Sequence, residues 1–116
     1  MVNSEIEDLL KVVKKVSFSG TYKPTNINND KDLLIVFEDG ESVSIQNGCN
    51  IHSGIYSAFE NGTVTIGKFF STRRACREDF DKVYLDALTT SGNFVRENKN
   101  LVLKNGVNVL LVLSWQ

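Results

Sequence analysis

The chain has 116 residues, of which 41% are hydrophobic and 23% are charged, and its formal net charge is −1. This balance is typical of one folded domain with a single core, and it excludes a disordered chain or a small scaffold held by disulfides. Such a low net charge gives no bulk attraction to nucleic acid or to an anionic membrane surface. Because no apolar run approaches about 20 residues, we expect no integral membrane segment.

Residues 5–16 have a helical pattern, because apolar side chains recur there three or four positions apart. The pattern predicts an amphipathic helix that covers one face or end of a sheet. Charged residues interrupt the segment, so it lacks the continuous apolar stretch of a signal peptide. If Met1 is the natural start, the sequence predicts a cytoplasmic protein.

From residue 18 the pattern changes, with a loop first and short strands after it. Gly20, Pro24 and residues 26–30 indicate a loop, after which short apolar runs are separated by turn signals. Three Asp-Gly or Asn-Gly dipeptides between these runs are typical of hairpins and therefore of antiparallel neighbours. The predicted strand runs are 33–37, 42–45, 56–59, 63–70, 93–97, 101–104 and 107–113.

A second helix is predicted over residues 77–90, where apolar residues again share one face. The predicted class is therefore α+β. We expect an antiparallel, mostly meandering sheet or a partly closed barrel of about seven or eight strands, with an N-terminal helix and one inserted helix. Residues 1–116 form a single domain in this interpretation. Trp115 follows Leu111 and Leu113 at strand spacing, which predicts that it closes one end of the barrel against the core helix.

Two short segments resemble the signatures of the META domain family. They are GCNIHSGIY at 48–56 and STRRAC at 71–76, in that order along the chain. The resemblance extends over about residues 18–113, so the predicted helix at 5–16 lies outside it. The residues that match the family pattern are Gly48, Cys49, Asn50, Ser53, Gly54, Tyr56, Thr72, Arg73, Ala75 and Cys76.

This family includes bacterial heat-inducible lipoproteins and a kinetoplastid virulence-associated protein. The resemblance implies a binding or assembly domain for a hydrophobic ligand or a protein partner, in a stress- or virulence-related setting. It implies neither an enzyme nor a cofactor, and it leaves the oligomeric state open. The matched residues are then expected to have structural or binding roles.

Cys49 and Cys76 each lie in one of the two signatures, so they are expected to approach each other. Two buried structural thiols are favoured in a reducing compartment, and a disulfide or redox pair is the alternative. That alternative predicts a thiol-redox or redox-sensing protein. A zinc site is disfavoured because His52, the one histidine, would need carboxylates to complete four ligands.

Catalytic residues of the familiar kinds are absent from the pattern. A hydrolase based on a Ser/His/Asp or Cys/His set would depend wholly on His52, which we interpret as a surface or turn residue. Neither a GxSxG nor a phosphate-binding glycine loop occurs. Arg73, Arg74 and Arg77 are followed at once by acidic residues, so they do not predict a nucleic-acid site.

Overall fold

The computed structural model describes residues 14–27, 33–39, 41–46, 51–72 and 81–116. Within them, nine strands form one antiparallel sheet, accompanied by one helix. In chain order the elements are β1 Lys15–Val16, β2 Gly20–Pro24, β3 Leu34–Phe37, β4 Ser42–Gln46, β5 Ile51–Phe59, β6 Val64–Ser71, α1 Asp81–Thr90, β7 Asn93–Glu97, β8 Asn100–Asn105 and β9 Asn108–Trp115.

The sheet combines two meanders. Strands β2 to β6 follow one another as neighbours, as do β7 to β9, and β9 then pairs with β2. The short β1 pairs with the last two residues of β5. Strands β6 and β7 are the edges, and in the described part of the chain they meet at the isolated Thr63–Asn93 bridge rather than along a ladder. The sheet is therefore strongly curved but not closed into a barrel.

The turn signals in the sequence correspond to hairpins. Gly62 joins β5 to β6 with a φ of 92°, and Gly106 joins β8 to β9 with a φ of 63°. Asn98 adopts a φ of 56° in the turn between β7 and β8. These left-handed conformations suit Gly and Asn, which explains why these dipeptides predicted antiparallel neighbours correctly.

The structure corrects the predicted elements at two places near the N-terminus. Gly20–Pro24, predicted as a loop, is β2, a central strand between β3 and β9. Lys15 and Val16, predicted as the end of a helix, form β1, while residues 5–13 lie outside the described residues. Among the described residues the sheet has nine strands rather than seven or eight. The inserted helix is confirmed over Asp81–Thr90, and residues 77–80 lie outside the described part.

The core lies on the concave face of the sheet. Alternate residues of the strands point there, and α1 adds Tyr84 and Leu88. Phe18, in the connection between β1 and β2, is fully buried among aromatic rings at one end. The other buried apolar residues are Tyr22, Leu33, Ile35, Phe37, Val43, Ile45, Tyr56, Ala58, Val64, Ile66, Leu101, Leu103, Leu111 and Leu113.

The prediction for Trp115 is wrong. Its side chain is 49% exposed, and its indole edge packs against the Cα of Gly20 at the start of β2. Strand β9 does alternate as predicted, since Leu111 and Leu113 are buried. However, Trp115 is the last residue of β9, where it pairs with Tyr22 of β2, and about half of its surface stays exposed at this end of the sheet.

Candidate functional site

The residues that match the family pattern fall into two groups. Ser53, Gly54, Tyr56 and Thr72 are described. The predictions for the other six concern positions outside the described residues, namely Gly48, Cys49, Asn50, Arg73, Ala75 and Cys76. The geometry of the site is therefore argued from β5, β6 and their neighbours.

Thr72 connects the ends of the two matching segments. Its backbone N–H donates to the carbonyl oxygen of Ile51 at 3.1 Å, and its hydroxyl accepts from the N–H of Ile51 at 3.0 Å. These bonds extend the β5–β6 pairing by one residue. The segment that ends at Asn50 and the one that begins at Arg73 thus join the sheet at neighbouring positions.

Tyr56 holds the connection between β1 and β2 in place. Its hydroxyl accepts a hydrogen bond from the backbone N–H of Phe18 at 3.1 Å, and its ring stacks on Phe18 with centroids 5.4 Å apart. Phe37 and Phe94 contact Phe18 edge-on, with centroid distances of 5.3 and 4.7 Å. The aromatic rings fill this end of the core, so Tyr56 has a structural role here.

Gly54 permits a close approach of β5 and β6. A Cβ at Gly54 would lie 2.7 Å from the carbonyl oxygen of Gly67 and 2.9 Å from Cδ1 of Phe69. The register shifts between Ser53 and Ile55, where β6 carries one extra residue and Lys68 has a φ of 55°. This bulge turns Phe69 inward over Gly54 and Phe70 outward. Gly54 is therefore required by packing.

The outward face of the same strands carries exposed apolar side chains. Ile51 and Ile55 on β5 are 47% and 44% exposed, and Phe70 on β6 is 74% exposed. Phe70 pairs with Ser53, so its ring stands between the two isoleucines. We call these three side chains the apolar triad. Such side chains clustered on one face are typical of an interaction surface.

Small polar side chains border the apolar triad along β4. Ser42 pairs with Ile55, Ser44 with Ser53, and Gln46 with Ile51. Since the two serines are short, the large β5 and β6 side chains form a wall beside them, leaving a cleft of about 400 Å³. We call it the outer cleft. Glu38 and Lys68, which carry opposite charges, are among the described residues that also line it.

His52 is placed differently from its prediction as a surface or turn residue. It lies within β5, it is buried, and its Nδ1 forms a hydrogen bond with the hydroxyl of Ser71 on β6. The two residues are direct cross-strand partners. Even-numbered residues of β5 point inward, which the sequence did not reveal because the beginning of β5 was not recognised as a strand.

No group of three or more His, Cys, Asp or Glu residues within the described ranges is arranged to hold a metal ion. None of the helical residues described there forms a segment long and apolar enough to cross a membrane.

A surface ion pair joins Lys15 and Glu41, whose charged groups lie 2.6 Å apart. The hydrogen bond and the charge of Lys15 lower the pKa of the Glu41 carboxyl.

Sequence reasoning missed most of the outer cleft. Ile51 and Ile55 were available as an alternating pair around Ser53, and that pattern extends the strand predicted at 56–59 toward residue 51. The orientation of Phe70 had no such signal, because the bulge at Lys68 shifts the inward and outward positions of β6 by one residue.

Comparison with known proteins agrees with the signatures in the sequence. A family model described as META domain matches residues 12–115. Neither a search of curated proteins nor a search of solved structures found a significant match. The match begins at residue 12, so it includes β1. The resemblance based on the two motifs began only at about residue 18 and did not include that strand. It covers nearly the whole chain, and this protein therefore belongs to the META domain family.

Proposed function

We propose that this META domain is a non-enzymatic binding module that holds an extended segment of a protein partner in the outer cleft. The observation that carries the proposal is the apolar triad, three large side chains exposed together at the signature residues Ser53 and Gly54. Burial of such side chains by a partner is favourable by about 25 cal/mol per Å² of apolar surface.

The polar wall of the outer cleft favours a peptide over a lipid tail. Ser42, Ser44, Ser53 and Gln46 line the cleft and offer hydroxyl and amide groups beside the triad. An acyl chain would remove these groups from water without replacing their hydrogen bonds, which is costly. A peptide brings N–H and C=O groups that can bond to them while its side chains cover the triad.

The filled core also favours a surface site. Phe18, Phe37 and Tyr56 occupy one end of the concave face with ring centroids 4.9 to 5.4 Å apart. A ligand entering there would have to displace fully buried aromatic rings. The outer cleft needs no such rearrangement, and preorganised sites bind at lower cost.

The test is selection from a displayed peptide library on the native protein, with counter-selection on Phe70→Ser. We expect enriched peptides with apolar residues at alternate positions, since one side of an extended segment faces the cleft. Their affinity should fall about tenfold or more on Phe70→Ser, as for a central interface residue. Val107→Ser is the matched control, because Val107 is 90% exposed at the distant turn between β8 and β9.

Capture from lysate of the source cells extends this test to the natural partner. A protein retained by the native domain and by Val107→Ser but lost with Phe70→Ser would fit the proposal. Peptides and proteins that bind Phe70→Ser as well as they bind the native domain would refute it. A fluorescent fatty acid that binds the native domain and is lost with Phe70→Ser would reassign the cleft to a lipid.

The absence of catalysis is part of the proposal. The buried His52 and the Ser71 hydroxyl form a pair that resembles a base and a nucleophile. Their cross-strand register explains the contact without catalysis. We expect the native protein and Ser71→Ala to hydrolyse p-nitrophenyl acetate at the same rate, and a faster, Ser71-dependent rate would contradict this part of the proposal.

The redox alternative, the cytoplasmic location and the stress or virulence setting stay predictions. Cys49 and Cys76 are outside the described residues, so they are tested in solution. Labelling of the native protein with a thiol reagent, before and after reduction and denaturation, distinguishes two protected thiols from a disulfide. An accessible thiol with a lowered pKa would favour the redox-sensing function over the binding module.

A further inference from the structure

A second cleft lies on another part of the sheet and has a different chemistry. It is formed where the turn between β7 and β8 meets the end of β9 and the start of β2, and it has a volume of about 190 Å³. Two cationic side chains, Arg96 and Lys99, line it together with Trp115. The remaining lining residues are Ser19, Tyr22, Asn98 and Asn100.

The framework around this cleft is fixed by hydrogen bonds. The backbone N–H of Trp115 donates to the carbonyl oxygen of Lys99 at 2.9 Å, which ties the end of β9 to the turn. Arg96 donates through Nη1 to the carbonyl oxygen of Ser17 at 3.2 Å, and its guanidinium lies 5.9 Å from the ring centroid of Phe18. The cation of Arg96 is thereby held in place while its side chain remains exposed.

Lys99 and Trp115 form the other wall. The Nζ of Lys99 lies 6.0 Å from the centroid of the Trp115 ring. Within the described ranges, neither Lys99 nor Arg96 forms a salt bridge, and the indole N–H of Trp115 has no hydrogen-bond acceptor. The cleft therefore presents two positive charges to the same small volume, while the Nε1 edge of the Trp115 indole packs against Gly20.

The two hydroxyl groups that line the cleft already donate hydrogen bonds to other groups of the protein. Tyr22 donates its hydroxyl to the carbonyl oxygen of Phe18 at 2.6 Å, and burial raises the pKa of Tyr22, although Arg96 opposes the shift. Ser19 donates its hydroxyl to the carboxylate of Asp39, which is not itself a lining residue. Among the described residues that line the cleft, the charged side chains are the two cations Arg96 and Lys99.

From these contacts we infer that the cleft formed by Arg96, Lys99 and Trp115 binds the phosphate monoester group of a small ligand. A phosphate dianion matches the two cations in charge and accepts several hydrogen bonds through its oxygens. A single carboxylate would leave one of the two cations uncompensated. The volume accommodates a phosphate with a short substituent, either a soluble metabolite or the headgroup of a phospholipid.

The single tryptophan of the chain gives a direct readout. The protein is labelled with ¹⁵N and titrated with glycerol phosphate at constant ionic strength, and the indole N–H resonance is followed. We expect a saturable shift of this resonance. Lys99→Gln should weaken binding about fivefold, and added sodium chloride should weaken it further, as for exposed charge pairs. Lys82→Gln on α1 is the matched control, since Lys82 is also exposed.

A parallel experiment separates the two sources of phosphate. Vesicles of phosphatidylcholine with and without phosphatidic acid are sedimented with the native protein and with Lys99→Gln. Binding of glycerol phosphate in solution identifies a soluble ligand, and Lys99-dependent binding to phosphatidic acid vesicles alone identifies a headgroup. No saturable shift and no vesicle binding would overturn the inference, as would equal binding by Lys99→Gln. Because Phe70→Ser leaves this cleft intact, the result is independent of the peptide-binding test.

Discussion

The two faces of β5 carry the same signature segment but have different roles. Gly54 and Tyr56 point inward, where they fit the bulge of β6 and hold Phe18 in the core. Ile51, Ser53 and Ile55 point outward and line the outer cleft. This short signature segment therefore combines two requirements, one for packing and one for surface chemistry, because successive residues of a strand alternate between its faces.

The sharpest test of this difference removes one phenylalanine ring that packs on the inward face, Phe18, and one that stands on the outward face, Phe70. Phe18→Ala removes a fully buried ring that contacts three others, and we expect it to lower the free energy of unfolding by about 4 kcal/mol. Phe70→Ala removes an exposed ring, and the expected change is within about 0.5 kcal/mol. Urea unfolding followed by far-UV circular dichroism measures both. Equal losses from the two substitutions would show that the outward face is also part of the packed structure.

Two glycines provide the next comparison. Gly54→Ala brings a Cβ to within 2.7 Å of a backbone oxygen of Gly67, so we expect a loss of about 2 kcal/mol, as for overpacking. Gly67→Ala meets no atom within 4 Å. It should be neutral or stabilising by up to about 1 kcal/mol, since alanine restricts the unfolded chain. The two urea midpoints decide the matter, and a Gly54→Ala variant as stable as the native protein would remove the packing explanation for this signature residue.

The sequence predicted the hairpins well because their signals are local. Asn61-Gly62 and Asn105-Gly106 require only that two residues adopt a left-handed turn. It failed at β2, because Gly20 and Pro24 have low strand propensity and are stabilised by pairing with β3 and with the distant β9. Propensity carries no information about a partner strand that lies some 90 residues away in the chain.

The candidate site also depends on strand pairing that local sequence patterns do not predict. The motif residues could be placed on β5, and their alternation was readable, but the contribution of Phe70 depends on the bulge at Lys68. Lys68 has no residue-type signature for a left-handed conformation, unlike Gly or Asn. The burial of His52 likewise depends on the start of β5, which lies before the run predicted at 56–59. Tertiary pairing decides these features.

A smaller effect is expected when one atom is removed from the inward face. Tyr56→Phe keeps the ring stack with Phe18 but deletes the hydroxyl that accepts from the Phe18 N–H. Leaving that buried donor without its acceptor should cost about 1.5 kcal/mol. Ser57→Ala, one residue further along β5 and on the opposite face, should change stability by less than about 0.5 kcal/mol. Unfolding curves in urea compare the two, and slowed or unchanged amide exchange at Phe18 in Tyr56→Phe would argue against the hydroxyl as its anchor.

The smallest expected effect comes from the surface ion pair that links β1 to the turn before β4. Lys15 lowers the pKa of Glu41 in the folded protein by a hydrogen bond and by its charge, and both side chains are exposed. A depressed carboxyl pKa stabilises the folded state above the unfolded pKa of that group, and the contribution disappears as the pH falls through the folded pKa. At pH 7 the native protein should therefore have a slightly higher urea midpoint than Glu41→Gln.

The same two proteins should converge at low pH, where Glu41 is neutral and resembles glutamine. The difference at pH 7 should also shrink in 1 M sodium chloride, since salt screens exposed pairs. A difference that persists at low pH or in high salt would mean that Glu41 acts through packing. In that case the division between a packed inward face and a weakly coupled outer surface would fail at β1.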